Sequence, residues 1–139
     1  MIRPIVTSRI LLAQPAREAT AADAPVAQNL LDTLAAHADT CVGLAANMIG
    51  SPVAVIVFRD GTRARTMFNP RITRHSGSYE TEESCLSLTG ARPTTRWRTI
   101  TVAYQELVDG ALVERHGSFS GFTAQIIQHE IDHTRGIVI

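Results

Sequence analysis

The sequence predicts an α+β domain. Three observations carry that reading: a helical apolar pattern in the first third of the chain, a second one near its end, and between them two alternating segments that each fold back at an Asp-Gly pair. Strands grouped between helices, with turns too short for a crossover, argue for antiparallel pairing and not for a βαβ arrangement. At 139 residues the chain can bury one core, so residues 1–139 are expected to form a single domain.

Each element has its own local reason. The Ala-rich stretch Ala16–Ala24, flanked by Pro15 and Pro25, reads as a loop leading into the first helix. Asp23 suits the N-cap, and Pro25 suits the first turn, where its missing N–H is no loss. Val26, Leu30 or Leu31, Leu34 and Ala38 recur at helical spacing, which carries this helix to about His37. VAVIVFRDGTRARTMF (Val53–Phe68) reads as a hairpin turning around Asp60-Gly61. TITVAYQELVDGALVERHG (Thr99–Gly117) reads as a second hairpin turning at Asp109-Gly110, with Ile100, Val102 and Tyr104 on one face. The last helix is expected to start near Ser120 and to bury Phe122, Ile126, Ile127 and Ile131. Gly136 sits where a C′ glycine would end it, and Ile137–Ile139 could add a short strand.

Composition narrows the function classes. A 45% hydrophobic and 19% charged chain lies in the globular range, which argues against disorder. Thirteen basic and thirteen acidic residues give a formal net charge of zero, with no direct nucleic-acid signal and no basic face for a membrane. The longest apolar run, Val53–Phe58, is too short to span a bilayer. Arg9 interrupts what would be the apolar region of a signal peptide, so the expected location is cytoplasmic. Two cysteines, Cys41 and Cys85, are too few for a disulfide framework.

The chemistry gathers at QHEIDHTRGIVI, the last twelve residues. His129, Glu130 and His133 form H-E-x-x-H, which on a helix puts both imidazoles on one face with a carboxylate beside them. A hydrolytic metal site needs a third protein ligand. The zincin pattern wants a downstream carboxylate, and none follows Asp132. The metzincin pattern H-E-x-x-H-x-x-G-x-x-H fails at its last position, which is Ile139. The third ligand must come from upstream, where His37, His75, His116, Cys41, Cys85 and the carboxylates are the candidates. Cys85 stands out because a thiolate is a strong soft ligand for zinc or ferrous iron.

EESCLS (Glu82–Ser87) followed by QHEIDH (Gln128–His133) resembles the peptide deformylase family, and so does CVGLAANMIG (Cys41–Gly50). The family carries G-x-G-L-A-A-x-Q, E-G-C-L-S and Q-H-E-x-D-H in this order, and the third motif is complete here. The resemblance runs from about the first helix onward. It implies antiparallel β-sheets packed around a central C-terminal helix that carries H-E-x-x-H. It also implies that Cys85, His129 and His133 hold one divalent metal ion, Fe2+ foremost, with Zn2+, Ni2+ or Co2+ able to take its place. Glu130 would then be the general acid/base, and the backbone N–H of Leu86 would face the developing oxyanion. The implied substrate-binding set is Val42, Gly43, Glu83, Ser84, Arg92, Phe122, Gln125 and Ile126. The implied partners are N-formylmethionyl nascent peptides, with the ribosome as a further candidate.

Two departures bear on chemistry. Met48 stands where the family's oxyanion glutamine stands, and a thioether cannot donate a hydrogen bond. Losing one such donor in other enzymes costs about 10²–10³ in turnover. Adjacent Asn47 is a carboxamide that could substitute if turned inward. Ser84 replaces the motif-two glycine and would be strained if the backbone there required positive φ. The leading expectation is a metal-dependent hydrolase removing the formyl group from N-formylmethionyl peptides. The rivals are a deformylase-like amidase for another acyl group and a metal- or peptide-binding module with little turnover.

Overall fold

The computed structural model describes all 139 residues. Its helices are α1 (Arg9–Leu12), α2 (Ala24–Ala36) and α3 (Gly121–Thr134). Its strands are β1 (Gly43–Ala45), β2 (Val55–Asp60), β3 (Arg63–Cys85), β4 (Leu88–Val108) and β5 (Ala111–Ser120). Short 3₁₀ turns occupy Ala21–Asp23 and Ala46–Ile49. All five strands pair antiparallel in chain order, so there is one continuous sheet. Its two longest strands bend at register shifts between Phe68 and Arg71, Ile72 and Arg74, and Glu83 and Cys85. Such bulges add twist and let one sheet wrap a helix. The fold is α+β, with α3 packed on β1, β2, β4 and β5 and α2 against β2.

Both foreseen hairpins form. At Asp109-Gly110 both central residues have positive φ (49° and 79°), as a type I′ turn requires. In the other hairpin Asp60 already pairs with Arg63, so the turn pair is Gly61-Thr62, one residue later than expected. A third hairpin joins β3 to β4 through Leu86-Ser87, a pair without the usual turn residues. It lies between Cys85 and Leu88 and so sets the position of Cys85.

Helix α2 begins after Asp23, but that carboxylate does not cap it. It accepts from Thr20 N–H at 2.9 Å and pairs with Arg17 Nη2 at 2.9 Å, which stabilises the preceding 3₁₀ turn. The buried face of α2 is Ala27, Leu30, Thr33 and Leu34, and Ala38 lies beyond the helix and is exposed. Helix α3 ends in a Schellman pattern: Ile137 N–H bonds Asp132 O at 3.0 Å and Gly136 N–H bonds His133 O at 3.1 Å. That cap consumes the backbone groups a strand would need, and Ile137–Ile139 form no strand. Phe122 also departs from expectation. It sits in the first turn of α3 and is 64% exposed.

The core joins Leu30 and Leu34 of α2, Val55–Phe58 of β2, Met67 and Phe68 of β3, Ile100 and Val102 of β4, and Ile127 of α3. No helix is long and apolar enough to cross a membrane.

Candidate metal centre

Helix α3 presents His129, Glu130 and His133 inward, and all three are nearly fully buried. One ligand atom from each lies within 4.8 Å of the other two. The imidazole centroids are 4.5 Å apart with the rings inclined at 62°. Cys85, at the end of β3, lines the same cavity as His129 and Glu130 and interacts electrostatically with both histidines. Burial alone would raise its thiol, but the two imidazoles, the Leu88 N–H and the charge of His133 bring it down to about 6. Burial likewise opposes charge on the histidines. Cys85, Glu83 and Glu130 outweigh it and hold His129 up at about 9. Glu130 and Cys85 do the same for His133, held at about 10. A thiol lowered beside two buried imidazoles is a donor set from which a divalent ion displaces protons.

Each imidazole is held by one nitrogen and faces the cluster with the other. His129 Nδ1 contacts Glu83 Oε1 at 2.7 Å. His133 Nε2 lies 3.4 Å from the backbone oxygen of Ile139, and its Nδ1 lies 3.2 Å from Glu130 Oε1. This is the outer arrangement that metal-ligating histidines require. Glu130 Oε1 is buried yet accepts no hydrogen bond, its approach to His133 lacking the right geometry. A buried carboxylate oxygen without a hydrogen bond, on the cavity wall beside such a cluster, is suited to receive a proton from a bound water.

Behind Glu83 lies a buried ionic chain. Arg96 is 4% exposed and grips Glu83 with two bonds, Nε to Oε2 at 2.9 Å and Nη2 to Oε1 at 2.7 Å. Its third nitrogen, Nη1, reaches Asp132 Oδ2 at 2.7 Å. Gln125 Nε2 adds a bond to Glu83 Oε2 at 3.0 Å. Burial disfavours the Glu83 charge, but His129, Arg96 and Gln125 together bring its carboxyl down to about 2. Glu83 reaches His129 of α3 directly, and Cys85 follows it across a register irregularity of the strand.

A cavity of about 420 Å³ opens onto this cluster. Val42, Gly43, Met48, Glu83, Ser84, Cys85, Leu86, Phe122, Gln125, Ile126, His129 and Glu130 all line it, with Thr40, Cys41 and Glu82. Gly43 allows β1 to pass over α3, since a Cβ there would meet Ile126 Cγ2 at 2.7 Å and Glu130 Oε2 at 3.0 Å. Arg92 does not reach the cavity, because its guanidinium turns back onto Thr89 O and Gly90 O of its own strand. Asn47 does not line it either: its amide donates to His133 O at 2.9 Å and Leu12 O at 3.3 Å. Ser84 carries no strain, because the non-glycine residues at positive φ are Asn69 and Asp109. Asp132, partly buried, is tied to Arg96. Cys41 donates to Gly43 O at 3.0 Å, and burial raises its thiol to about 11.

Two residues that position the cluster escaped the sequence reading. Arg96 acts on Glu83 and Asp132, partners that no local spacing connects to it. Gln128 mimics a strand: its side chain accepts from Trp97 N–H at 2.8 Å and donates to Trp97 O at 2.9 Å, fastening α3 to β4. The glutamine before H-E-x-x-H was a visible signal, but nothing in it named Trp97.

A His-Glu-x-x-His helix wrapped by one antiparallel sheet, with a carboxylate free to take a proton at the floor of a cavity, defines a metal-dependent hydrolase. Comparisons with known proteins give the particular one. A model for polypeptide deformylase matches residues 2–139. The chain is 50% identical over 139 residues to a peptide deformylase of Clostridium beijerinckii, covering 100% of both chains. It is 36% identical over 131 residues to peptide deformylase 3 of Shewanella oneidensis, covering 91% of this chain and 77% of that one. The Thermus thermophilus peptide deformylase structure matches with a TM-score of 0.86 at 32% identity, covering 99% of this chain and 84% of that one. A class I type b peptide deformylase from Acinetobacter baumannii matches with a TM-score of 0.86 at 26% identity, covering 99% and 97%. The chain belongs to the polypeptide deformylase family, whose members are metal-dependent hydrolases that remove the N-formyl group from new polypeptides.

Proposed function

We propose that Cys85, His129 and His133 hold one divalent ion, and that Glu130 is the general acid/base for hydrolysis of the formyl group of N-formylmethionyl peptides. The observation that carries this reading is the buried His129, Glu130 and His133 group, its ligand atoms within 4.8 Å of one another, on a cavity that Cys85 also lines. The ion, when bound, supplies Lewis acidity toward water and the formyl oxygen. Fe2+ is the proposed metal, with Zn2+, Ni2+ or Co2+ as replacements. Thiolate and imidazole donors suit these ions better than Mg2+ or Ca2+.

The residues of the chain do the rest. Glu130 takes the proton of the attacking water at its buried carboxylate and returns it to the departing amine. The Leu86 N–H faces the developing oxyanion. Glu83 and Arg96 keep the His129 ring in place. Val42, Gly43, Ser84, Phe122, Gln125 and Ile126 form the walls against which the peptide and its first side chain lie. The Acinetobacter baumannii homologue is known with Met-Ala-Ser bound, which supports a short methionyl peptide as ligand. The substrates are then nascent chains in the cytoplasm, met at the ribosome.

The test is formate release from a formyl-Met tripeptide by protein purified without oxygen and loaded with Fe2+. Glu130→Ala should abolish turnover while keeping the metal. A Glu130→Ala protein as active as wild type would sink the assignment.

A further inference from the structure

Met48 is a cavity residue whose chemistry the reaction above leaves unused. It lines the cavity, yet its side chain is 1% exposed, and its sulfur lies 3.2 Å from His133 Nδ1. That nitrogen is the one His133 turns toward the cluster, because Nε2 faces Ile139 O. A thioether has lone pairs and no proton to give, so its sulfur accepts from a protonated His133 Nδ1 and offers a soft lone pair beside that nitrogen once the proton is displaced. We propose that the Met48 thioether is a weak fourth protein donor to the divalent ion, completing a thiolate, two-imidazole and thioether set. This rests on the metal reading given above.

The surroundings favour a fixed donor. Met48 lies in the 3₁₀ turn Ala46–Ile49, and its carbonyl accepts from Val6 N–H at 2.7 Å. Its neighbour Asn47 ties the same turn to the backbone of His133 at 2.9 Å. Turn and ligand helix are therefore one unit, and a methionine, elsewhere adaptable, has its rotamer held by packing. A long, weak thioether beside a thiolate and two imidazoles is a known stable combination, and it biases a site toward softer ions. A long, weak bond still admits water as a further neighbour, since catalytic sites can expand to five-coordinate.

The test uses the whole chain loaded with Co2+, with wild type, Met48→Leu and Met48→Gln compared. Leucine keeps the volume and apolarity and removes the sulfur. Metal-edge X-ray absorption of wild type should show one ion per chain with two sulfur neighbours, the thiolate nearer and the thioether farther. Met48→Leu should lose the farther sulfur, shift the visible cobalt bands and bind Co2+ about tenfold more weakly. Met48→Gln should lose it too, which keeps the test open if the leucine variant fails to fold. Selenomethionine-substituted wild type gives the same reading without mutation, as a cobalt neighbour seen from the selenium edge. One ion per chain with a single sulfur, no selenium–cobalt contact, and cobalt bands unchanged in Met48→Leu would overturn the proposal and leave the metal site standing. No stoichiometric ion in wild type would overturn both.

Discussion

Gly43 shows how tightly single atoms are placed around the candidate site. An added methyl would sit 2.7 Å from Ile126 Cγ2 and 3.0 Å from Glu130 Oε2, so Ile126, β1 or the carboxylate must shift. Gly43→Ala is expected to destabilise by about 1–3 kcal/mol, as overpacked interiors do. It should also cost about 10² in turnover, because a small displacement of a reacting group has that scale of effect. Denaturant melts and formate-release kinetics on the same preparation check both, and an alanine variant with wild-type turnover would show that Glu130 tolerates the shift. Glu83 is the second sensitive residue. Glu83→Gln removes one of the two anions that Arg96 faces, and because Asp132 still pairs with it the cost is expected below the about 3–5 kcal/mol of a fully orphaned buried charge. It also loosens His129, so metal affinity is expected to fall about 10–100-fold. Competition with a chelator measures this, and an unchanged affinity would mean that His129 needs no anionic partner.

At the level of elements, two attachments place the helix that carries the motif. Gln128 bonds the N–H and the carbonyl of Trp97, so α3 is joined to β4 almost as a strand would be. Gln128→Ala leaves both backbone groups without their partner, and its expected cost is about 1–3 kcal/mol. A shift in the urea midpoint at unchanged slope is the reading to look for. The other attachment is the β3–β4 hairpin, which turns at Leu86-Ser87 and brings Glu83 and Cys85 against α3. The bulge between these two residues adjusts the strand end where Cys85 must face both histidines.

For the molecule as a whole, acid stability has a local source away from the site. Asp23 is held below the usual carboxylate range by the Arg17 guanidinium and then by the Thr20 N–H, with burial opposing. Its folded value lies below its unfolded one, so the stabilisation is complete above the unfolded value. It is lost as pH falls through the folded value. The difference in denaturation midpoint between wild type and Asp23→Asn should therefore be largest near neutral pH and shrink on acidification. A difference that stays constant into acid would assign the effect of Asp23 to packing. Arg17 is largely exposed, so salt should weaken the contribution.

The sequence by itself determined what short-range geometry dictates. Histidines four apart with a glutamate between fall on one helix face, and an Asp-Gly pair between alternating runs turns a hairpin, whatever surrounds them. Three ordered motifs made the family legible. Tertiary structure decided everything that depends on partners far apart in the chain. Arg96 finds Glu83 and Asp132 because β4 and α3 pack together. Asn47 is turned to the backbone of His133, Arg92 folds back on its own strand, and Phe122 overhangs the cavity in place of joining the core. Most consequential is Met48. In the sequence it is an oxyanion donor missing from its motif. In the fold its sulfur lies 3.2 Å from a ring nitrogen of His133, because a buried turn and the motif helix are held by the same hydrogen bonds.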